Sequence, residues 1–304
     1  MTGRRWIILT IATSVAVAGI AAAIAYAIDP YGVLRDPSGR KLSVYMYERK
    51  AKYLMSQRYV PANFDGLIIG ASSTAVMDLP TLAGVRLYDE SIPRGNATEE
   101  HILANQALIK GHYKLAIILL APSMTSRHDV AEGLDSVMKT EAIASIHLFV
   151  HEAGYILHAA HIRFYKNRGS AAPDGQLVGL APFPGVFNLR PLKAEDLQID
   201  PVAIKDYRDL IQSLRSRGTT IVYLVPPLYE PYYQLNKQGF QTNLEAVLTQ
   251  LPPAPVIDLS SPKYTALRSD RGNYEDCSHM NAKGSAKAAA ILNQLVSEAM
   301  ASGR

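Results

Sequence analysis

Three side chains in two short polar segments could together perform nucleophilic chemistry. Ser72 lies in GASST at residues 70–74, and Asp276 and His279 lie three residues apart near the C-terminus. A carboxylate at that spacing can accept a hydrogen bond from one ring nitrogen, and the other nitrogen can then accept a proton from a serine hydroxyl. Each segment alone is also typical of a capped helix start or a loop, so only the combination predicts a catalytic triad.

A third segment, SIPRGN at residues 91–96, could stabilise negative charge on a substrate oxygen. Gly95 could bring a backbone N–H close to a reacting carbonyl, and the Asn96 side chain is a second candidate donor. Taken alone, the segment is more typical of a plain loop. A phosphate-binding loop is disfavoured for residues 70–74, because they lack the glycine spacing of a dinucleotide fingerprint or a Walker motif.

Unbroken apolar runs alternate with helical patterns from residue 66 onwards. Such runs are typical of strands covered on both faces, and their alternation with helices predicts a parallel sheet with helices on both sides. About five strands suit an α/β fold of three α/β/α layers with flavodoxin-like winding. The predicted strands are residues 66–70, 85–88, 115–120, 220–225 and 255–259, and the predicted helices are residues 97–110, 141–166, 201–217, 241–251 and 281–300.

The predicted sheet explains how residues distant in sequence could share one site. Ligands of open parallel sheets bind beyond the carboxyl ends of the strands. Ser72 follows the first predicted strand, Gly95 the second and Ser123 the third. Aromatic rings after the fourth strand could stack on a sugar or form a rigid packed loop; they belong to Tyr229, Tyr232 and Tyr233.

One connection in this pattern is unusually long. Residues 121–218 separate the third and fourth strands, whereas a crossover needs only about a dozen residues. We interpret these residues as an insertion, of the kind that forms lids or binding walls, within a domain of residues 63–304. His147 and His151 in this insertion have a spacing that can bind zinc. Their apolar surroundings favour a packed or surface helix instead, and we expect neither a metal nor a cofactor.

The N-terminus has the properties of a membrane anchor. Residues 6–28 carry no charge and, at about 1.5 Å each, would reach roughly 34 Å, enough to cross a hydrocarbon core. We therefore predict a single transmembrane helix within residues 1–28, followed by a linker and an exposed helix at residues 29–62. A cleaved signal peptide is the alternative, because residues 25–27 (AYA) resemble a cleavage site. Both interpretations predict an exported domain.

Composition narrows the classes of function. The net charge is +4 and no basic run exceeds two residues, which disfavours nucleic-acid binding. Cys277 is the single cysteine, so an intramolecular disulfide and a cysteine-based zinc site are excluded. A hydrophobic content of 48% is enough to build a sizeable core, which disfavours general disorder.

The order of these features resembles the SGNH, or GDSL-like, hydrolase superfamily over residues 65–304. The shared order is a serine after the first strand, a glycine after the second, and Asp-x-x-His before the last helix. The run DCSHMNAKG at residues 276–284 is similar to a pattern common in that family, and the position of Asp258 in VIDLS also fits. The resemblance implies a three-layer fold that performs ester hydrolysis or acyl transfer.

The resemblance also implies a role for each residue of the site. Ser72 would be the nucleophile, His279 the base, Asp276 its orienting partner, and the amides of Gly95 and Ser72 would hold the oxyanion. Two departures from the family pattern are visible: Ala71 stands where many members have aspartate, and no asparagine follows the third strand. Loss of one oxyanion donor typically costs about 10²–10³ in rate, so Ser123 or another residue would have to replace it.

The anchor followed by DPYG at residues 29–32 resembles that of cell-envelope members of the superfamily. This resemblance implies a periplasm-facing domain, tethered to the inner membrane near exopolysaccharide machinery, that transfers or removes acetyl groups on a glycan. A lipid-facing esterase is a further alternative. A non-catalytic, anchored scaffold or glycan-binding subunit is another, and the missing asparagine favours it.

Overall fold

A six-stranded, mostly parallel sheet forms the centre of a mixed α/β fold. The computed structural model describes residues 3–43, 49–130, 134, 170–178 and 187–302. Its strands are β1 (Gly66–Ile69), β2 (Thr81–Leu82), β3 (Val85–Asp89), β4 (Leu115–Leu119), β5 (Ser170–Ala171), β6 (Leu177–Val178), β7 (Thr220–Val225) and β8 (Val256–Asp258). The order across the large sheet is β2-β3-β1-β4-β7-β8, and β5 and β6 form a separate antiparallel pair.

Five of the six strands are parallel, and they are the five that the apolar runs predict. Their sequences are unbroken because both faces are buried. Ile68 and Val222 belong to one hydrophobic cluster, whereas their neighbours Ile69 and Tyr223, which point to the opposite face, belong to another. The short strand β2 pairs antiparallel with β3 at the edge, and two residues are too few to show a pattern in the sequence.

Helices flank the strands much as their sequence patterns predict. They are α1 (Gly3–Ile28), α2 (Arg49–Ser56), α3 (Tyr59–Asn63), α4 (Ser72–Ala75), α5 (Ala97–Leu108), α6 (Pro122–Thr125), α7 (Pro201–Ser216), α8 (Glu230–Leu248), α9 (Thr265–Ser269) and α10 (Ala282–Ser302). Helix α8 begins at Glu230 rather than at residue 241, because Pro231 is tolerated in a first helical turn. The aromatic segment predicted as a loop is therefore partly helical.

The long connection after β4 is described only in part. Its described residues include α6, the β5–β6 pair and α7. The helix predicted at residues 141–166, with His147 and His151, lies outside the described residues. The limits of the insertion and of the domain therefore remain predictions.

Helix α1 is long and apolar enough to cross a membrane. It has 26 residues, its mean hydropathy reaches 2.4, and none of that stretch is buried within the protein. A signal sequence at an N-terminus would have the same properties. A third interpretation of the apolar stretch, a buried core helix, is disfavoured because none of its residues is buried.

Helix α2 differs from its prediction. Its basic composition predicts an exposed linker helix, but five of its eight residues are buried. Lys52 is only 2% exposed, because its ammonium donates hydrogen bonds to the carbonyls of Asp89 (2.5 Å), Ser91 (2.7 Å) and Gly175 (3.0 Å). A basic side chain that finds three acceptors can be buried, and sequence periodicity does not report this.

Candidate active site

Ser72, His279 and Asp276 form one continuous chain of hydrogen bonds. His279 Nε2 lies 2.8 Å from Ser72 Oγ, and His279 Nδ1 lies 2.7 Å from Asp276 Oδ2. Because an ionised carboxylate can only accept, Nδ1 carries the ring proton and Nε2 is the acceptor for the serine hydroxyl. The geometry thus matches a nucleophile, a base and a group that orients the base.

The loop before α10 is folded around the Asp276 carboxylate. Asp276 Oδ1 accepts hydrogen bonds from the amides of Ser278 (2.7 Å) and His279 (2.9 Å), a local turn for which aspartate is well suited. The Glu275 amide donates to the His279 carbonyl at 2.9 Å and closes the loop. The Ser278 hydroxyl lies 3.2 Å from both Asp276 Oδ1 and His279 Nδ1. Loop and imidazole are therefore held by the same carboxylate.

The charge of Asp276 is fixed by its surroundings. Burial alone would raise the pKa of this carboxyl, but the hydrogen bond and charge of His279, together with the Ser278 and His279 amides, lower it to about 2. Asp276 is therefore an anion at neutral pH.

Ser72 stands at the sharp turn between β1 and α4. The Thr74 hydroxyl is fully buried; it donates to the Ala71 carbonyl at 2.9 Å and lies 2.9 Å from Ser91 Oγ. Gly70 is required for this turn, because an added Cβ would lie 2.3 Å from Thr74 Oγ1. The Ser72 amide is in the first helical turn, whose N–H groups have no intrahelical acceptor, so it is available to an oxyanion.

The predicted oxyanion residues occupy different surroundings. Ser123 lines the same cavity as Ser72. The Gly95 amide donates to the Ile92 carbonyl at 2.9 Å, which directs it into its own turn. Asn96 is buried, accepts from the Glu99 amide as the cap of α5, and donates to the Asp129 carbonyl. Neither Gly95 nor Asn96 is among the described residues that line the cavity.

The cavity beside Ser72 and His279 has a volume of about 730 Å³. Of the three tyrosines predicted to contact a substrate, Tyr232 and Tyr233 line the cavity, and Tyr229 is not among the described residues that line it. Both rings contact Phe240, but Tyr233 is buried and also has the Arg268 guanidinium 4.6 Å from its ring centre. Tyr232 is only half-buried, so it is the better placed of the two for a ligand.

Tyr229 packs behind the loop of Asp276 and His279 rather than lining the cavity. Its ring packs edge-on against Phe187 and Tyr274, and its amide donates to the Cys277 carbonyl at 3.0 Å. The segment after β7 thereby holds the loop that carries Asp276 and His279.

Sequence reasoning assigned no role to several polar residues of the cavity. Arg94, Thr125 and Arg127 line it together with Ser72. Arg94 belongs to the segment at residues 91–96, which the sequence indicates as a candidate oxyanion site. The direction of the Arg94 side chain depends on a backbone conformation that the sequence does not show. Thr125 follows β4, and only its position after a strand could have indicated it.

No group of three or more histidine, cysteine, aspartate or glutamate side chains suited to a metal ion occurs among the described residues. The chain matches no family model. A search of curated proteins also found no significant match.

Proposed function

We propose that the chain is a serine-dependent esterase or O-acyltransferase of the SGNH or GDSL-like kind. The observation that carries this proposal is the hydrogen-bonded chain from Ser72 through His279 to Asp276 at the rim of a cavity. Ser72 lies near the start of the domain, and His279 and Asp276 lie near its end. Stability of the fold does not require a serine hydroxyl, an imidazole and a carboxylate to form such a chain.

The chemistry follows from the positions of the protons. His279 Nε2 accepts the Ser72 proton as Oγ attacks the acyl carbonyl, and the Ser72 amide donates to the developing oxyanion. The imidazolium, stabilised by Asp276, then returns the proton to the leaving alcohol, and the acyl group remains on Ser72. Water, or a second sugar hydroxyl, completes hydrolysis or transfer by the reverse sequence.

The strand order supports a flavodoxin-like fold for the sheet. Numbered along the chain, the five parallel strands lie in the order 2-1-3-4-5, which is flavodoxin-like. The two hydrophobic clusters, one on each face, support three α/β/α layers. We propose on these grounds that residues 63–304 form one SGNH-like domain.

The proposed substrate and location rest on the anchor and the cavity. Helix α1 would hold the chain in the inner membrane by a single span, with the domain in the periplasm or exterior. An acylated, most simply acetylated, glycan of the envelope or an exopolysaccharide would reach the cavity from there. Assembly with envelope-polysaccharide machinery is part of the same proposal. It includes no cofactor and no nucleic-acid partner.

A second candidate function is a non-catalytic, anchored scaffold or glycan-binding subunit. The observation that favours it is the sparse oxyanion site: the Gly95 amide is engaged in its own turn, the Asn96 side chain caps a helix, and no asparagine follows β4. Of the donors that the sequence predicts, the Ser72 amide and Ser123 would then remain.

Acetate release from a chromogenic acetyl ester and from an acetylated glycan tests the proposal. We expect Ser72→Ala to lower kcat by about 10³-fold or more, and the exposed Ser297→Ala to have no effect. A phosphonate probe should label Ser72 in the unaltered chain. Equal rates for the Ser72→Ala and unaltered proteins, or labelling of a different residue, would favour the scaffold.

A further inference from the structure

The cavity is lined in part by polar groups that have no hydrogen-bond partner among the described residues. Thr125 is 1% exposed and lines the cavity, and its hydroxyl has no hydrogen bond. The Ser73 and Ser123 hydroxyls line the same cavity, and within the described residues they also make none. A buried hydroxyl without a partner is costly, and Thr125 is in that position, whereas Ser73 is half-buried and Ser123 is exposed. The Thr125 hydroxyl therefore indicates a ligand that carries hydroxyl groups.

Arg94 adds a positive charge to the lining of the cavity. Its side chain is exposed, lines the cavity, and has no ion pair or hydrogen bond among the residues that the structure describes. Arg127 also lines the cavity but is occupied by Asp129 and by the Arg94 carbonyl. Arg94 is therefore the guanidinium available to a ligand.

The backbone of Arg94 is held in an unfavourable conformation. Its φ of 55° lies in the left-handed region, which a non-glycine residue rarely adopts. The conformation is fixed from outside, because the Arg49 guanidinium donates to the carbonyls of Pro93 (3.1 Å) and Arg94 (3.4 Å), and Arg127 donates to the latter. Strain that neighbours enforce is a common feature of ligand sites.

The carboxylates of the cavity do not cancel this charge locally. Asp258 is engaged by the amide and hydroxyl of Ser260, at 2.8 and 2.6 Å. Asp196 and Glu245 are exposed and belong to the segments around α8, whereas Arg94 follows β3. Among the described residues, none of these three carboxylates forms an ion pair with Arg94, so its charge is available to an anionic sugar.

We propose that the acylated sugar carries a carboxylate, which Arg94 binds as a bidentate ion pair while Ser123 and Thr125 bind sugar hydroxyls. The proposal rests on the esterase or acyltransferase function and names its substrate class. A planar guanidinium matches a carboxylate in geometry, and such charge-assisted pairs are about twice as strong as neutral hydrogen bonds.

The test compares two substrates that differ only in this group. One is an acetylated uronic-acid oligosaccharide, and the other is the same compound with each carboxyl reduced to a hydroxymethyl group. We expect the full chain in detergent to prefer the first, and Arg94→Ala to reduce the ratio of the two kcat/KM values by about 10- to 100-fold. Arg86→Ala is the control, because Arg86 is exposed and lies near the start of β3, whereas Arg94 follows its end. This variant should leave the ratio unchanged.

Arg94→Gly separates binding from folding. Glycine adopts the left-handed conformation freely, so the unfolding midpoint should be no lower than that of the unaltered chain while the preference is lost. A preference that survives in both Arg94 variants would overturn the proposal.

A binding measurement keeps this test independent of catalysis. In the Ser72→Ala background, calorimetry with a de-acetylated uronic-acid oligosaccharide should show binding that Arg94→Gly weakens about 10- to 100-fold. Equal binding by both proteins would contradict the carboxylate site, even if ester hydrolysis is confirmed. Loss of binding in Arg94→Gly, with no effect of Ser72→Ala on turnover, would retain the site and reject the serine mechanism.

Discussion

At the scale of single residues, Asp276 determines which nitrogen of His279 carries a proton. Its pKa near 2, below the ordinary 3.8, means that the folded protein favours the carboxylate. The corresponding contribution to stability is present above about pH 3.8 and is lost as the pH falls toward 2. The ionised acceptor keeps the proton on Nδ1 and leaves Nε2 to Ser72.

We expect Asp276→Asn to lower kcat by about 10⁴-fold. An asparagine that donates through its amide selects the other tautomer, in which Nε2 bears hydrogen and cannot accept from Ser72. The asparagine oxygen can still accept from the Ser278 and His279 amides, so circular dichroism should show a folded protein. Asp209→Asn, at an exposed ion pair with Lys205, is the control and should retain full activity. Activity within tenfold of normal in Asp276→Asn would contradict the proposed role.

Residue type and order predicted that Ser72, Asp276 and His279 would meet, because the first falls after the first strand of a parallel sheet and the other two between its last strand and last helix. The donors were not predictable in the same way. Whether Gly95 offers its amide depends on the turn formed with Ile92, which residue type alone does not determine. Arg94 shows the same limit, since its φ of 55° is enforced by guanidinium groups from distant segments.

At the scale of elements, the unbroken apolar runs predicted the five parallel strands because both faces of the sheet are buried.

Two elements differ from the prediction for physical reasons, and the first is helix α2, which was predicted to be exposed. The Lys52 ammonium is buried because it donates hydrogen bonds to the carbonyls of Asp89 and Ser91 at the end of β3, which only the tertiary fold brings near it. The edge strand β2 was missed because its pairing with β3 is fixed by a two-residue turn, with Ala83 and Gly84 both at positive φ, rather than by periodicity.

The packing of α2 against the end of β3 predicts a pH-dependent stability. Burial raises the pKa of Glu90 from 4.5 to about 7, although a hydrogen bond from Ser56 and the charge of Lys52 lower it. Between these two pH values the folded state binds a proton that the unfolded state releases. The free energy of unfolding should therefore fall as the pH rises from about 4.5 to 7.

Urea denaturation at a series of pH values, followed by circular dichroism, measures this slope. Glu90→Gln should flatten it, since glutamine can still accept from Ser56 and does not ionise. Part of the slope should remain, because burial also raises the pKa of Asp89, to about 6. The exposed Glu195→Gln is the control and should keep the original slope. An unchanged slope in Glu90→Gln would show that this carboxyl is not the source.

At the scale of the whole molecule, the end of α1 is bound to the linker that follows it, and Tyr31 of this linker packs into the hydrophobic core of the domain. Asp29 is fully buried and accepts hydrogen bonds from the Val33 amide at 2.9 Å and from the Arg40 guanidinium at 2.8 Å. Arg40 also donates to the Ile28 carbonyl, the last of the helix, at 3.3 Å. Cations are favourable at a helix C-terminus, so these contacts fix the direction in which α1 leaves the domain.

This junction predicts that α1 is retained as an anchor rather than removed as a signal. Cleavage after Ala27 would place a new, charged N-terminus one residue before the buried Asp29 and disrupt the capped helix end. In cells, we expect the protein to have the mass of the full chain and to stay with the membrane after an alkaline carbonate wash. Protease added outside spheroplasts should digest the domain, because a single span with an exported domain leaves it exposed. A soluble protein that begins at Ile28 would refute the anchor, whereas digestion only after lysis would reverse the proposed orientation.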